Sequence, residues 1–219
     1  MFVEIRGLRY HLRKWGSADA NAARTLVMLH GWMDVSASFQ FVADALDESW
    51  RIVAPDWRGY GLTERARADC YWFPDYLADL DFILDHVVGA APAVLVGHSM
   101  GGNIALMYAG VRPQRVRAVV NLEGFGLRAT HAEEAPARYA QWIDELRRAE
   151  CRAAPSSARA PVGGGRAAAG GERIAGASLR DYDSLDEVAA RLIKNNPRLS
   201  AERGAFLAQH WALSEAGRY

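Results

Sequence analysis

A serine lies between two glycines in the segment G-H-S-M-G, which spans residues 97–101. The segment follows an apolar run at residues 93–96 and precedes a stretch with helical spacing of apolar residues. A serine on such a sharp strand-to-helix turn exposes its hydroxyl at the carboxyl edge of a sheet. The helix that begins after Ser99 directs its positive end toward an oxyanion there, and the Met100 N–H is a candidate donor to that oxygen. The pattern therefore predicts nucleophilic catalysis at Ser99.

A second segment, H-G-W-M-D at residues 30–34, also follows an apolar run. Because Gly31 lets the backbone turn inward, the Trp32 N–H is the predicted second donor to the oxyanion. The alternative is an ordinary glycine turn with a buried aromatic side chain. We predict that His30 supports this loop through hydrogen bonds and does not act as a base.

A third segment, D-W-R-G-Y-G at residues 56–61, follows another apolar run. Its glycines allow a tight loop at the same edge of the sheet. Asp56 and Arg58 can fix that loop through charge-assisted hydrogen bonds. We predict a structural role for both side chains.

Hydrophobic patterning predicts the elements that must position these segments. Residues 1–15 alternate between apolar and polar, which is typical of an antiparallel β-hairpin. Short apolar runs suit strands buried on both faces of a parallel sheet, and four are present, at residues 26–29, 52–54, 93–96 and 118–121. Helical spacing appears after Pro74 and after Ser99. This alternation predicts an α/β fold with right-handed crossovers.

The chain changes character after its fourth apolar run. Apolar spacing predicts three helices: one that carries Tyr139 and Trp142, one that opens with a capping box at Ser184, and one over residues 200–213. Residues 151–178 are rich in alanine, glycine, serine and proline. Such a segment buries too little apolar surface to offset its ordering entropy, so we predict a flexible loop, with a mobile lid as the functional alternative.

The order of the hairpin and the three glycine-containing segments resembles the α/β-hydrolase superfamily, in its branch of esterases, epoxide hydrolases and dehalogenase-like enzymes. The resemblance is close over residues 1–125. Residues 126–219 resemble, more loosely, the helical cap that these enzymes insert after the sixth strand. The resemblance implies the α/β-hydrolase fold, with a mostly parallel sheet and an antiparallel N-terminal hairpin. It also implies a core at residues 1–125 and a cap region at residues 126–219.

The resemblance also implies a reaction. Dehalogenases and epoxide hydrolases of this fold carry aspartate where this chain has Ser99, so serine implies hydrolysis of a carboxylic ester through an acyl-enzyme. Glu123 matches the place after the sixth strand where some members carry their catalytic acid, and a loop carboxylate is the alternative. Phe125, Tyr139 and Trp142 are candidates to line an apolar substrate pocket, with ordinary core packing as the alternative.

The catalytic histidine of this superfamily lies on a loop after the last strand. The sequence shows only six strand patterns, and strands seven and eight have no counterpart before Tyr219, so the chain resembles a C-terminally truncated member. His131 and His210 are weak substitutes, and we assign no base. We therefore predict little or no turnover by these residues. A catalytically inactive binding protein, and a cofactor-free haloperoxidase or acyltransferase, are the alternatives.

Composition limits the remaining classes of partner. The 26 basic and 26 acidic residues give a net charge of zero, which argues against nucleic acid and anionic membranes. No metal-ligand spacing or phosphate-binding glycine loop appears, so we predict no metal and no cofactor. Two cysteines, no signal-peptide pattern and no long apolar run predict a cytoplasmic protein. The resemblance implies that its partner is a small-molecule ester. The unpaired edge of a six-stranded sheet predicts self-association.

Overall fold

The computed structural model describes residues 1–17, 24–67, 70–126, 129, 131–153, 182–212 and 214. The strands in these ranges are Phe2–Ile5 (β1), Leu8–Gly16 (β2), Thr25–Leu29 (β3), Arg51–Pro55 (β4), Ala93–His98 (β5) and Val116–Leu122 (β6). They form one sheet in the order β1-β2-β4-β3-β5-β6. The β1, β2 and β4 neighbours pair antiparallel, and β4, β3, β5 and β6 pair parallel. The predicted parallel sheet with an N-terminal hairpin is confirmed.

Helices connect the parallel strands and follow the last of them. They are Gln40–Ala43 (α1), Phe73–Val88 (α2), Met100–Val111 (α3), Ala135–Ala153 (α4), Leu185–Asn195 (α5) and Ala201–Trp211 (α6). The predicted capping at Ser184 is present, since its hydroxyl accepts the Glu187 N–H at 3.2 Å. None of the helices within the described ranges is both long and apolar enough to cross a membrane. Most of the predicted flexible loop, residues 154–178, lies outside the described residues.

The chain divides into two compact units, one formed by Met1–Gly126 with Asp183–Tyr219 and the other by Leu127–Tyr182. The first unit holds the sheet with α1, α2, α3, α5 and α6, and the second holds α4. The division into a core at 1–125 and a cap at 126–219 stays a prediction, although the last two helices belong to the unit that holds the sheet.

The core lies on both faces of the central strands. Every residue of β3 is buried, and β4 and β5 are buried over most of their length. The prediction of burial on both faces is wrong for β6, where Val120 is 47% exposed. The reason is position: β6 is the last strand of the sheet, and no described strand pairs with its outer edge.

Candidate active site

Ser99 occupies the turn between β5 and α3 with φ +51° and ψ −115°. Its N–H donates to the Leu122 carbonyl at 2.8 Å, and its own carbonyl accepts the Asn103 N–H at 3.0 Å. The turn is therefore held by β6 on one side and by α3 on the other. A non-glycine residue in such a conformation costs roughly 1–3 kcal/mol, and strain of this kind clusters at functional sites. The backbone has the strained strand-to-helix turn expected of a nucleophile, and the role of Ser99 stays a prediction.

Close backbone packing around the turn requires glycine. A Cβ on Gly101 would collide with the carbonyl oxygens of Leu29 and His30, and a Cβ on Gly97 would collide with the backbone of Gly101. The end of β3, the end of β5 and the first turn of α3 therefore approach one another without intervening side chains. This packing places the loop after β3 directly beside Ser99.

That loop is the H-G-W-M-D segment, and Gly31 is its point of closest approach. A Cβ on Gly31 would lie 3.1 Å from His98 Nδ1 and 3.2 Å from Ser99 Cβ. Trp32 is 49% exposed and its ring centroid lies 5.9 Å from that of Tyr60. Trp32 is therefore not the buried aromatic of the alternative, and its role as an oxyanion donor stays a prediction. Met100, the other predicted donor, begins α3 and is buried.

His30 supports the loop as predicted. Its Nδ1–H donates to the Gly31 carbonyl at 2.8 Å, and its Nε2 accepts the Trp57 N–H at 2.9 Å. The Trp57 indole N–H donates to the His30 carbonyl at 3.1 Å. Burial of the ring lowers the pKa of His30. A neutral His30 therefore joins the loops that follow β3 and β4.

We expect the free energy of unfolding to decrease as the pH falls below about 6.5, the ordinary pKa of histidine. The folded chain keeps His30 neutral while the unfolded chain takes up a proton, so this group contributes up to about 1.4 kcal/mol per pH unit. Urea unfolding at pH 7.5 and pH 5.0 measures the difference. His30→Gln should reduce it, and the exposed control His86→Gln should not. An equal pH dependence in wild type and His30→Gln would contradict the prediction.

Asp56 anchors the loop after β4. Its carboxylate accepts hydrogen bonds from His11 Nδ1 at 2.8 Å, the Ser36 N–H at 2.7 Å and the Leu62 N–H at 3.0 Å. Burial alone would raise the pKa of Asp56, but these hydrogen bonds outweigh it and lower the pKa to about 2. The interactions match the structural role predicted for Asp56.

Arg58, two residues after Asp56, fixes the same loop through Asp79, which lies on α2. Arg58 Nε and Nη2 donate to the two Asp79 carboxylate oxygens at 2.6 and 2.7 Å. The Tyr10 hydroxyl and, at 3.0 Å, Arg6 Nη1 donate to the same carboxylate. The sequence analysis did not predict a role for Asp79. The one feature that could have indicated it is a carboxylate next to Leu80, a residue of the apolar stripe of α2.

His98 lies between two carboxylates from neighbouring loops. Its Nδ1 is 3.8 Å from Asp34 Oδ2, and its Nε2 is 3.7 Å from Glu123 Oε2. Glu123 has φ +64° and Met33 has φ +53°. With Ser99, a residue of positive φ therefore follows each of β3, β5 and β6 at one edge of the sheet. The structure thus brings Glu123 to the same edge as Ser99, where it faces His98.

The three predicted substrate-binding residues belong to different units. Phe125 lies in the first unit and is 87% exposed. Tyr139 and Trp142 lie on α4 in the second unit and are 62% and 50% exposed. Phe125 is therefore not packed in the core of the first unit, and the role of all three residues toward substrate stays a prediction.

No base for Ser99 is found among the histidines of the first unit. In the described part of that unit, no histidine nitrogen lies within hydrogen-bond distance of the Ser99 hydroxyl. His210 Nδ1 instead lies 3.5 Å from Arg13 Nη2, and both burial and this guanidinium lower the pKa of His210. His131 lies in the second unit, at the start of the short turn before α4.

Comparisons with known proteins agree with this geometry. A family model described as the alpha/beta hydrolase fold matches residues 24–198. A serine hydrolase-like protein of Danio rerio is 33% identical over 132 residues, which cover 60% of this chain and 38% of that protein. A 2-hydroxymuconate semialdehyde hydrolase of Pseudomonas sp. strain CF600 is 36% identical over 118 residues, covering 50% of this chain and 39% of the enzyme.

A solved structure supports the likeness over nearly all of the chain. The thioesterase domain from the curacin biosynthetic pathway matches with a TM-score of 0.74 and 25% identity, over 99% of this chain and 67% of that domain. The chain therefore spans less than half the length of the two curated relatives and about two thirds of this thioesterase domain.

Proposed function

The chain belongs to the α/β-hydrolase family, and from this premise we propose that it is a serine hydrolase that forms an acyl-enzyme at Ser99. The observation that carries the proposal is the left-handed Ser99 at the start of α3, with Gly31 of the neighbouring loop beside it. Such a turn presents a serine hydroxyl for attack on a carbonyl carbon. The names of the relatives and of the thioesterase domain support hydrolysis of a small-molecule substrate.

The proposed reaction is hydrolysis of a carboxylic ester in two steps. Ser99 Oγ bonds to the carbonyl carbon, and the carbonyl electron pair moves to oxygen. The Trp32 and Met100 N–H groups donate to that oxyanion, and each such donor is worth about 3–4 kcal/mol in the transition state. The oxyanion collapses and expels the alkoxide, which takes up the proton that Ser99 lost. Water then adds to the acyl carbon and the bond from that carbon to Ser99 Oγ breaks, which releases the carboxylic acid and returns a proton of the water to Ser99 Oγ.

Proton removal limits the rate in this proposal. A serine hydroxyl without a base is a weak nucleophile at neutral pH. Glu123, the proposed acid, faces His98, and no histidine of the first unit hydrogen-bonds Ser99 in its described residues. The same observation favours the second candidate, a hydrolase-fold protein that binds its ligand without turning it over.

Labelling with a fluorophosphonate probe separates the two candidates. We expect slow formation of a covalent adduct on Ser99, located by mass spectrometry of peptides. Urea unfolding of the same sample establishes that the chain is folded. A sample that unfolds cooperatively and carries no adduct after prolonged exposure would favour the binding protein.

We also propose that the chain self-associates through β6. Within the described residues no strand pairs with the outer edge of β6, and Val120 of this strand is 47% exposed. Lysine on an edge strand opposes such pairing. Sedimentation velocity should show a dimer or larger species that Val120→Lys shifts toward monomer. The control Val111→Lys, at a residue of α3 that is 63% exposed, should not. A monodisperse wild-type monomer would contradict this prediction.

A further inference from the structure

We propose that Asp34 is a positioning residue for the reaction at Ser99, and that Ser38 and Trp211 hold its carboxylate in place. The inference rests on the proposed function, since a positioning role requires that Ser99 reacts. Asp34 ends the H-G-W-M-D loop, while Trp211 is the last residue of α6. The three side chains form a connected path from α6 to the loop beside Ser99.

Asp34 uses its two carboxylate oxygens for different purposes. Oδ1 accepts the Val35 N–H at 2.7 Å and also the Ser38 hydroxyl. Oδ2 faces His98 Nδ1 at 3.8 Å. Asp34 is only 9% exposed, and a buried carboxylate is tolerated when such partners are present. Oδ1 therefore closes the loop, and Oδ2 faces the ring of His98, the residue before Ser99.

Ser38 connects Asp34 to α6. Its hydroxyl donates to Asp34 and accepts the Trp211 indole N–H at 3.0 Å, so the serine hydrogen is directed toward the carboxylate. The helix is fixed on the same segment by Phe41, whose ring contacts Phe206 at a centroid distance of 5.4 Å and lies 4.7 Å from the Arg203 guanidinium carbon. The geometry of Asp34 therefore depends on the docking of α6.

The position of Asp34 affects the loop atoms nearest Ser99. Met33 precedes Asp34 and has φ +53°, a conformation that persists only where surrounding contacts enforce it. Trp32, which carries the proposed oxyanion donor, lies one residue further back. A displacement of about 1 Å in a positioning group can reduce a reaction rate about 100-fold. We therefore infer that the carboxylate of Asp34, together with the hydrogen bonds of His30, holds this strained loop against Ser99.

Two substitutions at Asp34 separate positioning from simple loop closure. Asp34→Asn keeps an oxygen that accepts from Val35 and Ser38 and removes the negative charge that faces His98. Asp34→Ala removes both the accepting oxygen and the negative charge. Trp211→Phe removes only the indole donor. Trp72→Phe, at the 74% exposed residue that precedes α2, is its matched control.

Amide hydrogen exchange over residues 32–35 and the rate of fluorophosphonate labelling are measured for each variant, with urea unfolding as the check on folding. For Asp34→Ala we expect exchange to accelerate and labelling to slow, each by about tenfold or more. Asp34→Asn should restore the exchange rate but leave labelling several-fold below wild type. Trp211→Phe should accelerate exchange in the same residues, and Trp72→Phe should change neither rate.

The outcomes distinguish this inference from the proposed function. If wild type is folded and unlabelled, the proposed function fails, and the role of Asp34 at Ser99 fails with it. If wild type is labelled and Asp34→Ala is labelled at the same rate, only the positioning role is overturned. If Asp34→Ala does not fold, Trp211→Phe carries the test, and unchanged exchange over residues 32–35 in that variant overturns the path through Ser38.

Discussion

Replacing Ser99 with alanine is expected to abolish covalent labelling by a fluorophosphonate and to reduce ester hydrolysis to the rate in buffer. The Ser99 hydroxyl is the group proposed to bond to the acyl carbon, so the covalent adduct at this residue should be lost entirely. An enzyme with a complete triad loses about 10⁶-fold in kcat with its nucleophile. Because no base is assigned to Ser99, wild-type hydrolysis should exceed the buffer rate only slightly, and the loss of labelling is the larger effect. Steady-state hydrolysis of a p-nitrophenyl ester series, together with adduct mass, measures the effect.

Substitution at this turn should leave the fold intact. Alanine and serine share a Cβ, so Ser99→Ala retains the strain of φ +51° and should leave the urea midpoint nearly unchanged. Ser99→Gly removes that strain and should increase the free energy of unfolding by about 1 kcal/mol while also abolishing labelling. A more stable inactive variant would indicate that the chain maintains the strain for the reaction.

Two results would change the interpretation of Ser99. An adduct that persists in Ser99→Ala would show that another side chain reacts with the probe. Rapid wild-type turnover that Ser99→Ala abolishes would contradict the prediction of little turnover. It would require a base, and His131 and His210 would then be the first residues to substitute.

The parts of the site that the sequence predicts depend on residues that are close together in the sequence. The turn at Ser99, the loop at Gly31 and the loop at Asp56 each combine an apolar strand with glycines a few residues later. Backbone sterics then determine both the turn and the edge of the sheet at which it lies. The same local logic predicts the hairpin and the helices, because their apolar periodicity lies within single elements.

The missed features depend on contacts between distant parts of the chain. Trp211 and Ser38 are 173 residues apart in sequence, and Tyr10 and Asp79 are 69 apart. No local pattern pairs such residues. The exposure of β6 is a similar case, since its apolar composition resembles that of β3 and only its position at the sheet edge distinguishes the two.

Substitution of Asp79 with alanine is expected to cause the largest loss of stability, about 3–5 kcal/mol in the free energy of unfolding. The Asp79 side chain is fully buried and neutralises Arg58, whose side chain is only 3% exposed. Removing the carboxylate leaves that guanidinium buried without its main partner and also removes the acceptor of the Tyr10 hydroxyl. Urea unfolding monitored by circular dichroism measures the change.

The matched control is Asp85→Ala, about one and two thirds turns further along α2. Asp85 pairs with Arg115 at 2.9 Å, but its side chain is 61% exposed, so its loss should cost no more than about 1 kcal/mol.

The double variant Arg58→Met with Asp79→Leu should recover much of the stability lost by Asp79→Ala, because it leaves no buried charge. A cost for Asp79→Ala as small as that of Asp85→Ala would contradict the prediction. The loop at residues 56–61 would then be held mainly by the hydrogen bonds of Asp56 and of His30.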